Sequence, residues 1–225
     1  PFKGFRFHAD TTGTLDKVIT PPYDVITPDE RAQLAAGSPF NMVHVILPTP
    51  GEGGGDRYAN AEANLSRWIS EKALRQDDTP SYYLLRQRFT DLEGRQHVRR
   101  AFYASVKLPE VGERYILGHE RTFNKPVEDR LSLTRATRMS LGAVFVLYSD
   151  PERRLQAFLE QMETRPADLT AHTIDGVDQD LWQVPACEEV AAFFPGKTLY
   201  IADGHHRFQT ACTYRDEQRI AYGHK

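Results

Sequence analysis

Apolar residues recur along this chain with two periods, and the switch between them sets out the elements. From Asp56 to about Arg75, the residues Tyr58, Ala61, Leu65, Trp68 and Ile69 fall near helical spacing, which predicts an amphipathic helix capped by Asp56. Tyr82–Phe89 and Val98–Leu108 read as strands instead. In the second run Phe102, Ala104, Val106 and Leu108 alternate with more polar neighbours. Asp91 and Gly94 lie between the runs, so a pair of antiparallel strands is predicted. Upstream, Leu15–Ile19 and Met42–Leu47 are short apolar runs that read as strands. Thr27, followed by Pro28 and Glu30, has the residue types of a helix start with a capping box. The glycine-rich stretch Thr49–Gly55 reads as a mobile loop.

A second region begins near Gly112, which divides the chain into residues 1–111 and 112–225. The second region holds Ile116–Asn124, an arginine-rich helix from about Glu128 to Met139, and a strand over Gly142–Tyr148. Asp150 and Pro151 open a helix whose face is Leu155, Phe158, Leu159 and Met162. A small hairpin from Thr173 to Val184 turns at Gly176. Hairpins mixed with helices, without a βαβ rhythm, indicate an α+β fold with mixed or antiparallel sheets and packed helices.

The densest chemistry comes near the end. Thr198–Ala202 is a β-branched and aromatic run, Asp203-Gly-His-His-Arg207 is a turn, and Phe208–Tyr214 starts a helix. A strand that delivers its last residues onto a helix N-terminus builds an anion site. The free amides of the first helical turn point at the ligand, and the helix dipole favours negative charge there. Gly204 permits close approach of the backbone. His206 and Arg207 are placed to hydrogen-bond phosphate oxygens, Arg207 with a planar fork. His205 stands in the same turn as a catalytic candidate.

Two further segments carry candidates. His119-Glu-Arg-Thr122 sets a carboxylate, Glu120, beside His and Arg, where it could bind a metal or accept a hydroxyl proton. A solvated ion-pair cluster is the bland alternative. From Arg114 to Arg138 there are six basic residues (Arg114, Arg121, Lys125, Arg130, Arg135, Arg138) against three acidic ones (Glu120, Glu128, Asp129). That local excess suits a phosphate-bearing ligand, with Arg121 and Arg130 as contacts. Thr20-Pro-Pro-Tyr-Asp-Val-Ile26 is a rigid elbow from which Asp24 projects as a second candidate base, or as a simple turn residue.

Composition narrows the classes. Forty per cent hydrophobic and 26% charged residues over 225 positions is ordinary for a globular protein, and a formal charge of −3 does not advertise nucleic acid. No apolar run approaches the roughly 18 residues of a membrane span. Two cysteines, Cys187 and Cys212, make no disulfide framework or metal signature. They suit a reducing cytoplasm, as buried small apolar residues. A zinc-protease His-Glu-x-x-His is absent, as are the further motifs a metallophosphoesterase would need. The sequence stops soon after the DGHHR helix and is expected to be cut short there.

Pro1-Phe-Lys-Gly-Phe-Arg6, Pro21-Pro-Tyr-Asp-Val-Ile26, His119-Glu-Arg-Thr122, Asp129-Arg-Leu131 and Asp203-Gly-His-His-Arg207 occur together, in this order. In this the chain resembles a bacterial and archaeal family of unknown function, from residue 1 to about Glu217. Members of that family are close to twice this length, so the resemblance is to their N-terminal half. The DGHHR turn is also similar to the phosphate turn of the ParB/sulfiredoxin-like superfamily. Sulfiredoxin has its catalytic Cys where this chain has His205, so sulfinic acid reduction is not expected. The DNA-binding ParB branch has Glu-Arg-Arg at the turn and a helical domain not seen here. The free-serine kinases, with Asp-Gly-x-His-Arg, match better.

The resemblance implies that Gly204 permits the turn and that His206 and Arg207 hold nucleotide phosphates; for phosphoryl transfer, Asp203 is expected to hold Mg²⁺ directly or through water. Those kinases use an acidic residue as a base toward the substrate hydroxyl, and Glu120, flanked by His119 and Arg121, is the candidate for that part. The expected function is phosphoryl transfer from a nucleotide, ATP or ADP, to a small hydroxylated metabolite, free serine among the candidates. The expected partners are therefore a nucleotide and a small molecule, with no membrane or nucleic acid. Self-association stays open. A non-catalytic nucleotide-binding module and a phosphoester hydrolase using the same pocket are the alternatives.

Overall fold

The structure, a computed structural model, describes residues 1–51, 54–120 and 123–223. In chain order the described elements are β1 (Phe5–Phe7), α1 (Ala9–Thr12), α2 (Pro28–Gly37), α3 (Val43–Ile46), α4 (Arg57–Ser70), β2 (Leu74–Gln76), β3 (Ser81–Thr90) and β4 (Gln96–Tyr103). They continue with β5 (Ile116–Leu117), α5 (Asn124–Thr137), β6 (Phe145–Leu147), α6 (Arg154–Met162), β7 (Leu169–His172), β8 (Asp178–Pro185), α7 (Glu188–Ala191), β9 (Leu199–Asp203) and α8 (His205–Tyr222). The fold is α+β with antiparallel and mixed sheets. It divides into two compact units: Pro1–Ser105 with Glu152–Phe193, and Val106–Pro151 with Phe194–Lys225. Among the described residues no helix is long and apolar enough to cross a membrane.

The first unit is built on an antiparallel sheet of order β4-β3-β8-β7, with β1 and β2 as a separate antiparallel pair. The predicted β3–β4 pair is present, and β4 ends at Tyr103 rather than Leu108. On one face of β3 and β8, Tyr82 lies opposite Val184 and Leu84 opposite Trp182, all of them buried. Farther along the same strands Arg86 lies opposite both Asp180 and Arg100. Two buried carboxylates stabilise these like charges. Asp180 accepts from Arg86 (2.9 Å) and Arg88 (2.5 Å), and Glu163, just past α6, accepts from Arg86 (3.0 Å) and Arg100 (2.7 Å). Tyr83 Oη accepts from the Gly4 amide and donates to Asp77, which fastens the N-terminal segment to β3.

Helix α4 follows from its pattern. Asp56 accepts from the Tyr58 amide, and Ala61, Leu65 and Trp68 are buried. It stops at Ser70, short of Arg75, because Lys72 turns the chain at φ +60 and Leu74–Gln76 pairs with β1 instead. The capping box at Thr27 and Glu30 is formed on both sides. The hairpin read over Thr173–Val184 is the β7–β8 pair, turning at Gly176.

Two apolar runs read as strands are helical. Leu15–Lys17 is a single 3₁₀ turn, and Val43–Ile46 is the short helix α3. Buried Asn41 decides both. Its Oδ1 accepts from the Val43 amide (2.9 Å) and its Nδ2 donates to the Lys17 carbonyl (2.8 Å), so side-chain bonds replace a ladder. Glu52 and Gly53, within the stretch Thr49–Gly55, lie outside the described residues.

In the second unit β9 is the middle strand of a mixed sheet, parallel to β5 and antiparallel to β6. Its Leu199 and Ile201 are buried, as are Leu131 and Leu133 of α5, which packs on α8. Helix α5 begins four residues before Glu128, at Asn124. Pro126 is accommodated because it falls in the first turn, where its missing N–H has no helical partner to lose. The strand read over Gly142–Tyr148 narrows to β6.

Candidate functional site

The DGHHR residues make the corner between β9 and α8. β9 ends on Asp203, and Gly204, at φ +94, is the first residue outside an 18-residue helix that begins at His205. The first helical bond to the corner runs from the Phe208 amide to the Gly204 carbonyl (2.9 Å). The amides of His205, His206 and Arg207 therefore have no acceptor inside the helix, and among the described residues no side chain caps them.

Gly204 serves more than the turn. A Cβ there would lie 3.0 Å from Arg207 Nε and 3.1 Å from Cζ, because the Arg207 side chain folds back across the glycine. Its guanidinium donates to the Asp203 carboxylate and to the Ala143 carbonyl. Gly142 leaves room for the same side chain, whose Cδ would sit 3.3 Å from an added Cβ.

The two histidines point to a second segment. Helical neighbours project about 100° apart, and the two rings reach two different amides. His205, only 5% exposed, accepts from the His119 amide at Nε2 (3.2 Å), and its Nδ1 lies 3.3 Å from Glu120 Oε2. His206 Nε2 accepts from the Phe123 amide (3.2 Å), and its ring stacks on Phe123. His119 meets His205 edge-on, with centroids 4.7 Å apart, and its Nε2 is 3.6 Å from Glu120 Oε1. The Glu120 carboxylate thus sits between two imidazoles, with 58% of its side chain open to solvent. Gly118 permits this contact, since a Cβ there would come within 2.9 Å of His205 Cδ2.

The structure therefore brings Glu120 to His205, sets His206 against Phe123, and gathers Asp203, Gly204 and Arg207 at the corner itself. Arg121, between the two tethered amides, lies outside the described residues, as does Thr122. Arg130 is buried in α5 and donates to Asp129 (2.5 Å). Arg135, part of the same basic excess, is engaged by Glu128 and Glu217. Asp24 belongs to the first unit, exposed in the turn after Pro22. Cys187 and Cys212 are free thiols, each partly rather than fully buried.

Among the described residues no three His, Cys, Asp or Glu side chains cluster to hold a metal ion. Mg²⁺ asks for less than that. It keeps several waters and binds through one or two carboxylates together with substrate phosphates. Asp203, 54% exposed beside the uncapped amides, is an oxygen donor of that kind.

Sequence reading passed over Gly118, Gly142, Ala143 and Phe123. A glycine between the apolar Ile116–Leu117 and His119-Glu120 was the available signal for a close contact.

The fold and this corner define an α+β protein with an open helix N-terminus under a His-Glu segment. The family profile described as "Protein of unknown function (DUF1015)" matches residues 1–225. The chain belongs to that family. No curated protein and no solved structure gives a significant match.

Proposed function

We propose that this protein is a nucleotide- and Mg²⁺-dependent phosphotransferase that acts on a small hydroxylated metabolite, free serine among the candidates. One observation carries the reading. The Glu120 carboxylate lies against His205 at the start of a long helix whose first three amides have no side-chain cap among the described residues. The similarity of the DGHHR turn to that of the ParB/sulfiredoxin-like free-serine kinases supports it.

Phosphoryl transfer needs positioning and charge neutralisation more than covalent chemistry. The amides of His205–Arg207 and the Arg207 guanidinium would bind phosphate oxygens, with His206 at the rim. Asp203 would hold Mg²⁺, which neutralises phosphate charge when bound. Glu120 takes the proton of the acceptor hydroxyl. The acceptor oxygen then forms its bond to the terminal phosphorus, and the bond from phosphorus to the bridging oxygen breaks, its electron pair leaving with the nucleotide. Two free thiols support a cytoplasmic setting. A non-catalytic nucleotide-binding module is the second reading. It is favoured by the Arg207 guanidinium, which Asp203 and Ala143 already engage.

Two variants separate these readings. Arg207 would contact charge present in the ground state, and such bonds are worth about 1.5–3 kcal/mol. Arg207→Ala should therefore raise the Kd for ATP or ADP by roughly ten- to a hundredfold. Glu120→Ala should slow phosphorylation of L-serine or a related alcohol by about 10²–10⁴ with little change in nucleotide Kd. Calorimetry and a phosphorylated-product assay on folded protein measure both. Equal loss of affinity in the two variants, or wild-type binding without turnover, would establish the binding module instead.

A further inference from the structure

We infer that His205 is the positioning residue of the site, aiming the Glu120 carboxylate while it anchors the segment that carries it. The inference rests on the phosphotransferase reading and gives His205 a role distinct from direct catalysis. The ring has two nitrogens and two different tasks. Nε2 faces the His119 N–H at 3.2 Å, so it must be the acceptor. That leaves the ring proton on Nδ1, which faces Glu120 Oε2 at 3.3 Å. The imidazole is 5% exposed, and its ring edge lies where a Gly118 side chain would be. It is too enclosed to meet a substrate, whereas Glu120 is open to solvent. A buried donor with a fixed tautomer beside an exposed carboxylate is the arrangement that holds a base in one orientation.

The same contact divides Glu120 into two unlike oxygens. Oε2 faces the His205 Nδ1 at 3.3 Å, and Oε1 lies 3.6 Å from His119 Nε2. Oε1 is therefore the atom that takes the acceptor's proton. His205 makes no contact with substrate in this scheme, and its loss should lower kcat without changing nucleotide binding.

Asn and Gln separate the two tasks of the ring. The amide of Asn falls near Nδ1, so His205→Asn keeps a donor for Glu120 and gives up the acceptor for His119. The amide of Gln reaches the position of Nε2, so His205→Gln does the reverse. Steady-state kinetics on the full chain, with Mg²⁺, ATP or ADP, and L-serine or a panel of small alcohols, should show kcat down about 10²-fold in His205→Gln. His205→Asn should recover part of that loss, and Kd for the nucleotide should stay near wild type in both. Equal kcat losses in Asn and Gln variants, or losses that follow nucleotide affinity, would overturn the positioning role.

A second measurement does not depend on turnover. ¹⁵N NMR of the imidazoles should find the His205 proton on Nδ1, with a shift that changes in Glu120→Gln. The proton on Nε2 would overturn the inference and leave the phosphotransferase reading standing. The expected tautomer in a wild-type protein that phosphorylates none of the alcohols would refute the phosphotransferase reading, and the inference with it.

Discussion

Replacing Gly204 with alanine should destabilise the protein by about 2–3 kcal/mol, through two terms that can be measured apart. The backbone sits at φ +94, where an L-residue costs roughly 1–2 kcal/mol. The second term is steric. The new methyl carbon would lie 3.0 Å from Arg207 Nε, closer than ordinary contact. Arg207 is not a loose end that can swing away, because Asp203 and the Ala143 carbonyl both hold its guanidinium. Full loss of a charge-assisted bond costs about 1.5–3 kcal/mol, and a partial shift should cost about 1 kcal/mol. Urea denaturation of wild type, Gly204→Ala, Arg207→Ala and the double variant closes a cycle. With Arg207 already shortened, only the backbone term should remain, so the coupling should be about 1 kcal/mol. A Gly204→Ala cost within about 0.5 kcal/mol of zero would refute the left-handed corner. An equal cost in both backgrounds would refute the folded-back Arg207.

In the first unit, Asp180→Ala should cost about 1.5–3 kcal/mol by denaturation, since it removes a buried carboxylate from Arg86 and leaves Glu163 alone to offset Arg86 and Arg100. A loss under about 1 kcal/mol would show that the arginines find water instead. In the second unit, the Arg219 fork on Glu110 lowers that carboxyl from 4.5 to about 2. A lowered folded-state pKa contributes stability above the unfolded value, so the advantage of wild type over Glu110→Gln should be full above pH 4.5. It should shrink as pH falls toward 2 and weaken in high salt because the pair is exposed, and a pH-independent difference would refute the pairing.

What could be read from the residues was whatever local rules govern. The capping box at Thr27, the α4 stripe, the β3–β4 hairpin and the strand-glycine-helix corner at Asp203–His205 each depend on neighbours a few positions away. The misread runs Leu15–Ile19 and Met42–Leu47 were short and apolar, where periodicity cannot tell a buried strand from a buried helix. Their outcome was set by Asn41, whose two amide ends bond residues on both sides of it. The pairing of β8 with β3 spans about a hundred residues and has no local signature. At the site, the residue types were legible and their partners were not. Nothing in the sequence says that His205 and His206 each accept a backbone amide from residues 119–123, or that Arg207 turns back onto Asp203.

Those partners give a reason for histidine at this corner. The segment that bears Glu120 needs hydrogen-bond acceptors to take its amides, and α8 must offer them from its first turn. Carboxylates would accept as well and would suit the helix dipole. They would also place negative charge beside the amides to which the proposed phosphotransferase reading assigns the phosphate. An imidazole nitrogen accepts a hydrogen bond without bringing a formal negative charge. Two adjacent histidines, diverging along the helix turn, reach amides four residues apart and leave the uncapped end of α8 without a new anion. The one carboxylate in the turn, Asp203, has Arg207 as its counter-ion. The corner therefore tethers the Glu120 segment with two side chains that themselves carry no formal negative charge.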